Sequence, residues 1–392
     1  MTATLPLNGL RVIDFSRLLP GPYATLVLAD MGADVLKVEA PRGGDYLRAF
    51  PPVLDGRKYG ARFGALNTGK RSIAVDLKKP QGVEIARELA CGADVVVESF
   101  RPGVMERLGL GYEVLRAVNP GLIYCAISGY GQDGPYTHRA GHDLNYVAMA
   151  GVMGMAGPND GPPELPAVQV ADIGAGALWP LIGILSALHA RHSTGQGALI
   201  DASMTDGSLG FLQMELAELL ATGNHPNRGE AMLTGGQACY GVFETADGGY
   251  MTVAALEPKF WGAFCRAVQR PELMSRHLGT PEKARATKAL LAELFKTRTR
   301  AQWEATFAEV EACVEPVLSP SELPEHPLHV ARGNFINDDG GMPRIRTPMR
   351  PRDAAPPKRA PELGESSRQV LLELGYDEET IETLYQSRIV VG

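Results

Sequence analysis

The sequence is poor in the features that mark metal proteins, secreted proteins and nucleic-acid binders. Its five cysteines (Cys91, Cys125, Cys239, Cys265 and Cys313) are odd in number, scattered, and form no CxxC or Cys/His spacing. That pattern speaks against a disulfide framework or a cysteine-based metal site and fits unpaired thiols in a reducing cytosol. Lys+Arg 38 against Asp+Glu 45 gives a net charge of −7, so no basic field draws the chain to nucleic acid or anionic lipid. A local basic pocket for a phosphorylated small molecule is compatible with that balance. The N-terminus, MTATLPLNGLRVIDF, has no basic region followed by a long apolar stretch and does not read as a signal peptide. The longest apolar stretch, residues 177–188, is interrupted by Pro180, Gly183 and Ser186 and reads as too short to span a bilayer. The expectation is a cytoplasmic protein with no nucleic-acid or membrane partner and no metal.

Glycine, by contrast, is abundant. Gly 45 and Pro 29 together make about 19% of the 392 residues, above the usual ~12% and below the ~25–30% of disordered chains. These glycines sit either in linkers or in loops where backbone must approach a ligand.

The length suggests two domains. Residues 10–15 (LRVIDF), 35–39 (VLKVE), 72–76 (SIAVD), 93–98 (ADVVVE) and 122–127 (LIYCAI) are short apolar runs. Helical stretches at 23–31 and 82–90 alternate with them. Near-continuous apolar strands separated by helices indicate a parallel sheet covered on both faces. A helix over 173–192, a strand at 199–203 and a further helix through Leu220 complete a large α/β domain, 1–220.

Residues 239–256 (CYGVFETADGGYMTVAAL) read as a hairpin around a DGG turn, followed by helices near 261–268, 286–296 and 300–310. This predicts a smaller α+β domain, 221–325. Residues 326–364, rich in Pro, Arg and Gly, read as an extended linker. The tail 365–392, with a helix over 366–374, is expected to return to the large domain.

Gly129–Gly134 (GYGQDG) matches a dinucleotide fingerprint literally. That motif must open a helix so that phosphate meets its N-terminus. Pro135, Tyr136 and Thr137 follow instead, and no nicotinamide cofactor is expected. No P-loop, GxSxG or HExxH motif occurs.

Three segments carry candidate chemistry: 138–151 (HRAGHDLNYVAMAG), 166–188 (PAVQVADIGAGALWPLIGILSAL) and 253–261 (VAALEPKFW). Asp172 lies where an extended stretch meets a helix. There its carboxylate would accept backbone N–H bonds and stay ionised, and alone it reads as a plain N-cap. Alone, His142 reads as a structural histidine, and Glu257, before Pro258, as a helix-start acid.

Taken together with RVIDFSRLLPGPYATLVLADMGADVLKVEAP, TGKRSIAVDLKKPQG, VVVESFRPGVMERLGLGYEVL, NPGLIYCAISGYGQDGPY, CVEPVL and LGESSRQVLLELGY, these segments resemble the family III CoA-transferase superfamily (CaiB/BaiF type) over nearly the whole chain. Within it the chain looks most like the α-methylacyl-CoA racemases. AGHDLNY matches the racemase motif carrying a catalytic histidine, here His142. ADIGAGA matches the segment carrying the second acid/base, here Asp172, and ALEPKFW the one carrying a glutamate that pairs with the histidine, here Glu257. In the transferases the equivalent Asp is a nucleophile that forms an acyl anhydride, and the His and Glu are characteristically replaced.

Inverting a stereocentre beside a thioester takes two acid/base groups flanking one carbon, without a cofactor beyond the CoA of the substrate. The enolate between the two proton transfers needs hydrogen-bond donors, for which the backbone amides of Asp172 and Ile173 are candidates. By resemblance the CoA is held by Val75, Asp76, Leu77 and Lys78, by Ser99, Phe100 and Arg101, by Arg107, and by Gly141, Asp143, Asn145 and Tyr146. Where many members carry an Arg for the CoA nucleotide this chain has Ala40, with Arg42 nearby. Residues 43–67 look like the longer transferase version. The resemblance further implies an interlocked homodimer, with a Rossmann-like large domain and a small α+β domain from opposite chains meeting at the active site.

Overall fold

The computed structural model describes residues 5–53, 56–225 and 227–392. The first four residues of the N-terminal segment, Leu54 and Asp55 within 43–67, and Pro226 in the glycine-rich connection lie outside them. The chain divides into two compact units.

Unit 1 comprises Met1–Ala150, Val168–Gly210 and Pro327–Gly392. Six parallel strands form its sheet: β1 (Arg11–Asp14), β2 (Asp34–Glu39), β3 (Arg71–Val75), β4 (Val95–Glu98), β5 (Ile123–Ser128) and β6 (Ala198–Ser203). Their spatial order is β3-β2-β1-β4-β5-β6, with the C-terminal strand Val390–Val391 antiparallel to β3 at one edge. The central strands are buried along almost their whole length, because helices cover both faces. The winding direction reverses between β1 and β4. At such a switch point the loops leaving the strand C-termini diverge and open a crevice.

The core over one face joins Ile13, Leu36, Ile73 and Val96 to Leu89 and Leu115, and to Val370, Leu371, Ile381 and Leu384 of the C-terminal helices Ser367–Glu373 and Glu378–Gln386. The tail therefore contributes a second helix and an edge strand beyond the single helix expected from sequence.

The segment expected to be a linker is ordered and built in. It carries helix Pro327–Arg332 and the antiparallel pair Phe335–Asn337 and Pro343–Ile345. Arg344 and Arg350 bury their guanidinium groups against Asp30, at 2.6 and 3.1 Å. A buried carboxylate shared by two arginines replaces the solvent contacts a linker would keep.

The apolar stretch 177–188 lies within a longer helical run. A π-helical turn, Ala171–Leu178, leads without a break into helix Trp179–Thr194: the Trp179 N–H donates to the Gly174 carbonyl across the junction, and Pro180 gives up one main-chain bond without ending the run. By length and composition alone this 24-residue run could cross a membrane, although it packs against β5 and β6 and Gly183 rests on Ile200.

Unit 2 comprises Gly151–Ala167 and Phe211–His326. Strands Tyr240–Glu244 and Tyr250–Ala254 form the hairpin, and Val314–Pro316 adds a third antiparallel strand. Helices Pro258–Ala267, Pro281–Phe295 and Arg300–Phe307 cover it. Its core is aromatic: Phe264 stacks on Trp261 at 5.1 Å and on Phe307 at 5.9 Å, and Trp303 packs on Phe295 at 5.0 Å. The division places 151–167 and 211–220 with this unit rather than with the large one.

Candidate active site

Two cavities open at the C-terminal ends of the strands of unit 1. The first, about 380 Å³, is lined by Arg17 and Leu18 after β1, by Ser99, Phe100 and Arg101 after β4, and by Ser128 and Gly129 at the end of β5. Gly141, His142, Tyr146 and Asp172 complete its wall. The second, about 320 Å³, is lined by Ser16 and Arg17, by Val38–Ala40 at the end of β2, and by Val75, Asp76, Leu77 and Lys78. Arg17 and Phe100 belong to both, so the cavities adjoin across the switch point.

His142 and Asp172 thus share one cavity although 30 residues separate them. His142 is the N-cap of helix Asp143–Met149; its N–H donates to the Asn145 side chain at 3.0 Å, which leaves the exposed imidazole outside the helix. Asp172 opens the π-helical turn and is half-buried. The N-cap reading of Asp172 does not hold. Among the described residues no N–H reaches its carboxylate; instead its own N–H donates to Asp143 Oδ1 at 2.9 Å. Burial, and then the neighbouring Asp143 charge, push the Asp172 carboxyl up to about 7. Without hydrogen-bond donors the charged form loses its hydration and gains nothing in return.

The expected oxyanion donors are also occupied. The Asp172 N–H serves Asp143 and the Ile173 N–H donates to the Gln169 carbonyl at 2.9 Å. One amide is spent on a side chain and the other on a main-chain bond of the turn.

Tyr146 forms the floor. Its hydroxyl donates to the Gly141 carbonyl at 2.5 Å and its ring meets Tyr130 edge-on at 5.2 Å. Burial, then Asp172, raise its phenol to about 12. A Cβ on Gly129 would stand 2.4 Å from the Tyr146 ring, and one on Gly141 2.7 Å from it. These two glycines therefore make room for a packed tyrosine rather than for a ligand. Gly21, which clears Ser16, and Gly176, which clears Met204 and Pro20, serve packing likewise.

Of the other expected binding residues, Val75, Asp76, Leu77 and Lys78 line the second cavity, Ser99 and Arg101 the first, and Phe100 both. Asp143 and Asn145 act through the helix start described above. Arg42 and Arg107 are exposed and line neither cavity. Glu257 lies in unit 2, exposed, as the N-cap of helix Pro258–Ala267. A glycine-rich loop, residues 232–238 (MLTGGQA), also lies in unit 2. There Lys288 Nζ donates to the Gly235 carbonyl, and a Cβ on Gly236 would strike the Glu230 carbonyl, so the loop is tied to its own unit.

Arg17 escaped the sequence reading. Its guanidinium lies over the Phe100 ring at 4.8 Å and the Tyr46 ring at 5.5 Å, at the junction of the cavities. Leu18, beside it, has φ 64, a left-handed conformation costly for a side chain with a Cβ. The turn is held by Asp45, whose carboxylate accepts the Leu18 N–H at 3.2 Å and pairs with buried Lys37 at 3.1 Å. The signal available in sequence was position alone: SRLLPGP follows directly on β1, where a doubly covered parallel sheet presents its ligands.

The family model for CoA-transferase family III matches residues 7–367. The chain is 39% identical to the alpha-methylacyl-CoA racemase of Mus musculus over 98% of its own length and 97% of that protein. It is 34% identical to the succinyl-CoA:glutarate CoA-transferase of the same organism, over 98% of this chain and 90% of that protein. The crystal structure of a CAIB/BAIF family protein from Brucella suis superimposes with a TM-score of 0.83 at 36% identity, covering 95% of this chain and all of that one. The family match over residues 7–367 and similarity running end to end, on a sheet of six parallel strands with one antiparallel edge strand, make the chain a member of CoA-transferase family III.

Proposed function

We propose that the protein interconverts the (R) and (S) forms of 2-methylacyl-CoA thioesters by removing and returning the α-proton through an enolate. The observation that carries this reading is that His142 and Asp172 line one cavity, with the Asp172 carboxyl brought to about 7. A carboxyl near neutrality gives up and takes back a proton with little driving force either way, which suits a group that must serve as base for one enantiomer and acid for the other. His142 serves the opposite face. Glu257 is proposed to orient the imidazole, from the small unit of a partner chain in an interlocked homodimer. Exposed apolar side chains on unit 1, among them Val168, Leu178 and Ile182, support a second copy as their cover. The adjoining cavity takes the remainder of the CoA, with its own Lys78, and Arg101 of the first cavity, as cations for the phosphates. No cofactor beyond the CoA of the substrate enters this chemistry, and a cytoplasmic location accords with five free cysteines.

A second reading is CoA transfer between carboxylic acids through an acyl anhydride on Asp172. It is favoured by the 43–67 segment and by the similarity to CoA-transferases. Incubating an enantiopure 2-methylacyl-CoA in D2O separates the two. Epimerisation puts deuterium at the α-carbon as chirality is lost, and His142→Ala stops the exchange in a folded protein. Retention of the α-proton, with CoA passing to an added carboxylate and a hydroxylamine-trapped Asp172 adduct, would establish transfer instead.

A further inference from the structure

Three adjacent parallel strands of unit 1 end in a buried acid: Glu39 on β2, Asp14 on β1 and Glu98 on β4. The first two are paired. Arg48 donates to both carboxylate oxygens of Glu39, at 2.6 and 2.8 Å, and Ser72 adds a third bond. Asp14 faces Lys70 at 3.3 Å and Lys37 at 4.0 Å, and accepts from Thr25 at 2.7 Å. Each is a carboxylate neutralised where it is buried.

Glu98 has no such partner among the described residues. It is 4% exposed, and its one bond is from the Phe100 N–H to Oε2, at 2.7 Å. The titratable groups that face it are Tyr124 and Cys125 from β5 and Glu106 from helix Val104–Arg107, none of them cationic. The Tyr124 hydroxyl is buried and, among the described residues, has no hydrogen-bond partner. An ionised carboxylate here would stand against a like charge with a single donor, which is the costly arrangement. Burial raises its carboxyl to about 8; the Phe100 N–H acts the other way and Glu106 adds to the rise.

What Glu98 holds is the turn that joins the two cavities. Ser99, Phe100 and Arg101 line the first, Phe100 also lines the second and carries the Arg17 guanidinium on its face, and Ser99 Oγ accepts the Arg17 N–H at 3.2 Å. We propose that Glu98 is a positioning residue for the acyl-CoA groove: its uncharged carboxyl anchors the Ser99–Phe100–Arg101 turn, and ionising it weakens binding of the CoA ester. The direction follows from charge. The neutral acid accepts the Phe100 N–H without repelling Glu106; the anion is pushed from Glu106 and drawn toward water, and the turn moves with it.

This inference rests on the acyl-CoA reading of the site and is tested by binding rather than turnover. Affinity for acetyl-CoA is measured by calorimetry between pH 7 and 9 for the wild type, Glu98→Gln and Glu98→Ala. Expected is a several-fold loss of affinity in the wild type as the pH rises through about 8. Glu98→Gln, an uncharged isostere that still accepts the Phe100 N–H, should hold the neutral-pH affinity throughout. Glu98→Ala, with the anchor gone, should bind weakly at every pH while its circular dichroism stays native. Coincident profiles for wild type and Glu98→Gln overturn the proposal, as does full affinity in Glu98→Ala. Should Glu98→Ala fail to fold, the comparison of wild type with Glu98→Gln still decides. No binding of acetyl-CoA by the wild type at any pH would overturn the acyl-CoA reading as well, a result distinct from binding with coincident profiles.

Discussion

Replacing Asp172 with Asn should stabilise the protein at pH 8 while abolishing α-proton exchange. The carboxyl is raised from its ordinary 3.8 to about 7 by burial and by Asp143, so the fold favours its neutral form. The sign follows. An acid whose folded pKa lies above its unfolded one costs nothing below the unfolded value, costs progressively more as pH rises between the two, and carries the full cost above the folded value. That cost is at most about 4 kcal/mol at pH 8 and about 1.5 kcal/mol at pH 5. Asp172 is only half-buried, so about half of each figure is the better expectation. Asn removes the charge at little other expense, because no donor among the described residues binds the carboxylate, and the Asp172 N–H bond to Asp143 is made by the backbone. At roughly 2–4 °C per kcal/mol for a unit of this size, the midpoint at pH 8 should rise by roughly 4–8 °C, and by clearly less at pH 5. Differential scanning calorimetry at the two pH values measures it. A midpoint unchanged or lowered at pH 8, or a gain of equal size at both, would refute the electrostatic argument.

Two further changes probe the frame around the site. Asp30→Ala leaves Arg344 and Arg350 buried without their shared counter-charge, and should cost about 3–5 kcal/mol in urea unfolding, where an exposed ion pair would cost under about 1 kcal/mol. Gly129→Ala drives a methyl group to 2.4 Å from the Tyr146 ring, so it should destabilise by about 1–3 kcal/mol and perturb the Tyr146–Gly141 hydrogen bond. The melting midpoint, together with the near-ultraviolet tyrosine signal, reads both effects.

Much of the local structure was legible because it is periodic. The runs LRVIDF, VLKVE and ADVVVE carry apolar residues on both faces, with charges mainly at their ends, and their shortness and β-branched content suit a strand covered on both sides. The hairpin around DGG was legible for the same local reason: Tyr240 pairs with Ala254 and Glu244 with Tyr250 across a turn whose Gly248 has φ 77. Where the reading failed, the deciding partner was distant. Residues 326–364 have the composition of a linker, and nothing in that segment announces that Arg344 and Arg350 will meet Asp30, more than 300 residues earlier. Asp172 looked like an N-cap because its own neighbours allow one. The π-helical turn and Asp143, brought beside it by another helix, decide otherwise.

By itself, then, the order of residues determined the strands, the family resemblance and the identities of His142 and Asp172 as a candidate pair, since these depend on neighbours within a few positions or on motifs read in line. Only the tertiary structure decided that the two share a cavity, that the Asp172 carboxyl is poised near neutrality, that its backbone N–H is already spent, and that Arg17 stands where two cavities meet. The reason is physical. A carboxyl's protonation and an amide's availability are set by burial, nearby charge and competing partners, and a parallel sheet gathers those from chain segments far apart in sequence.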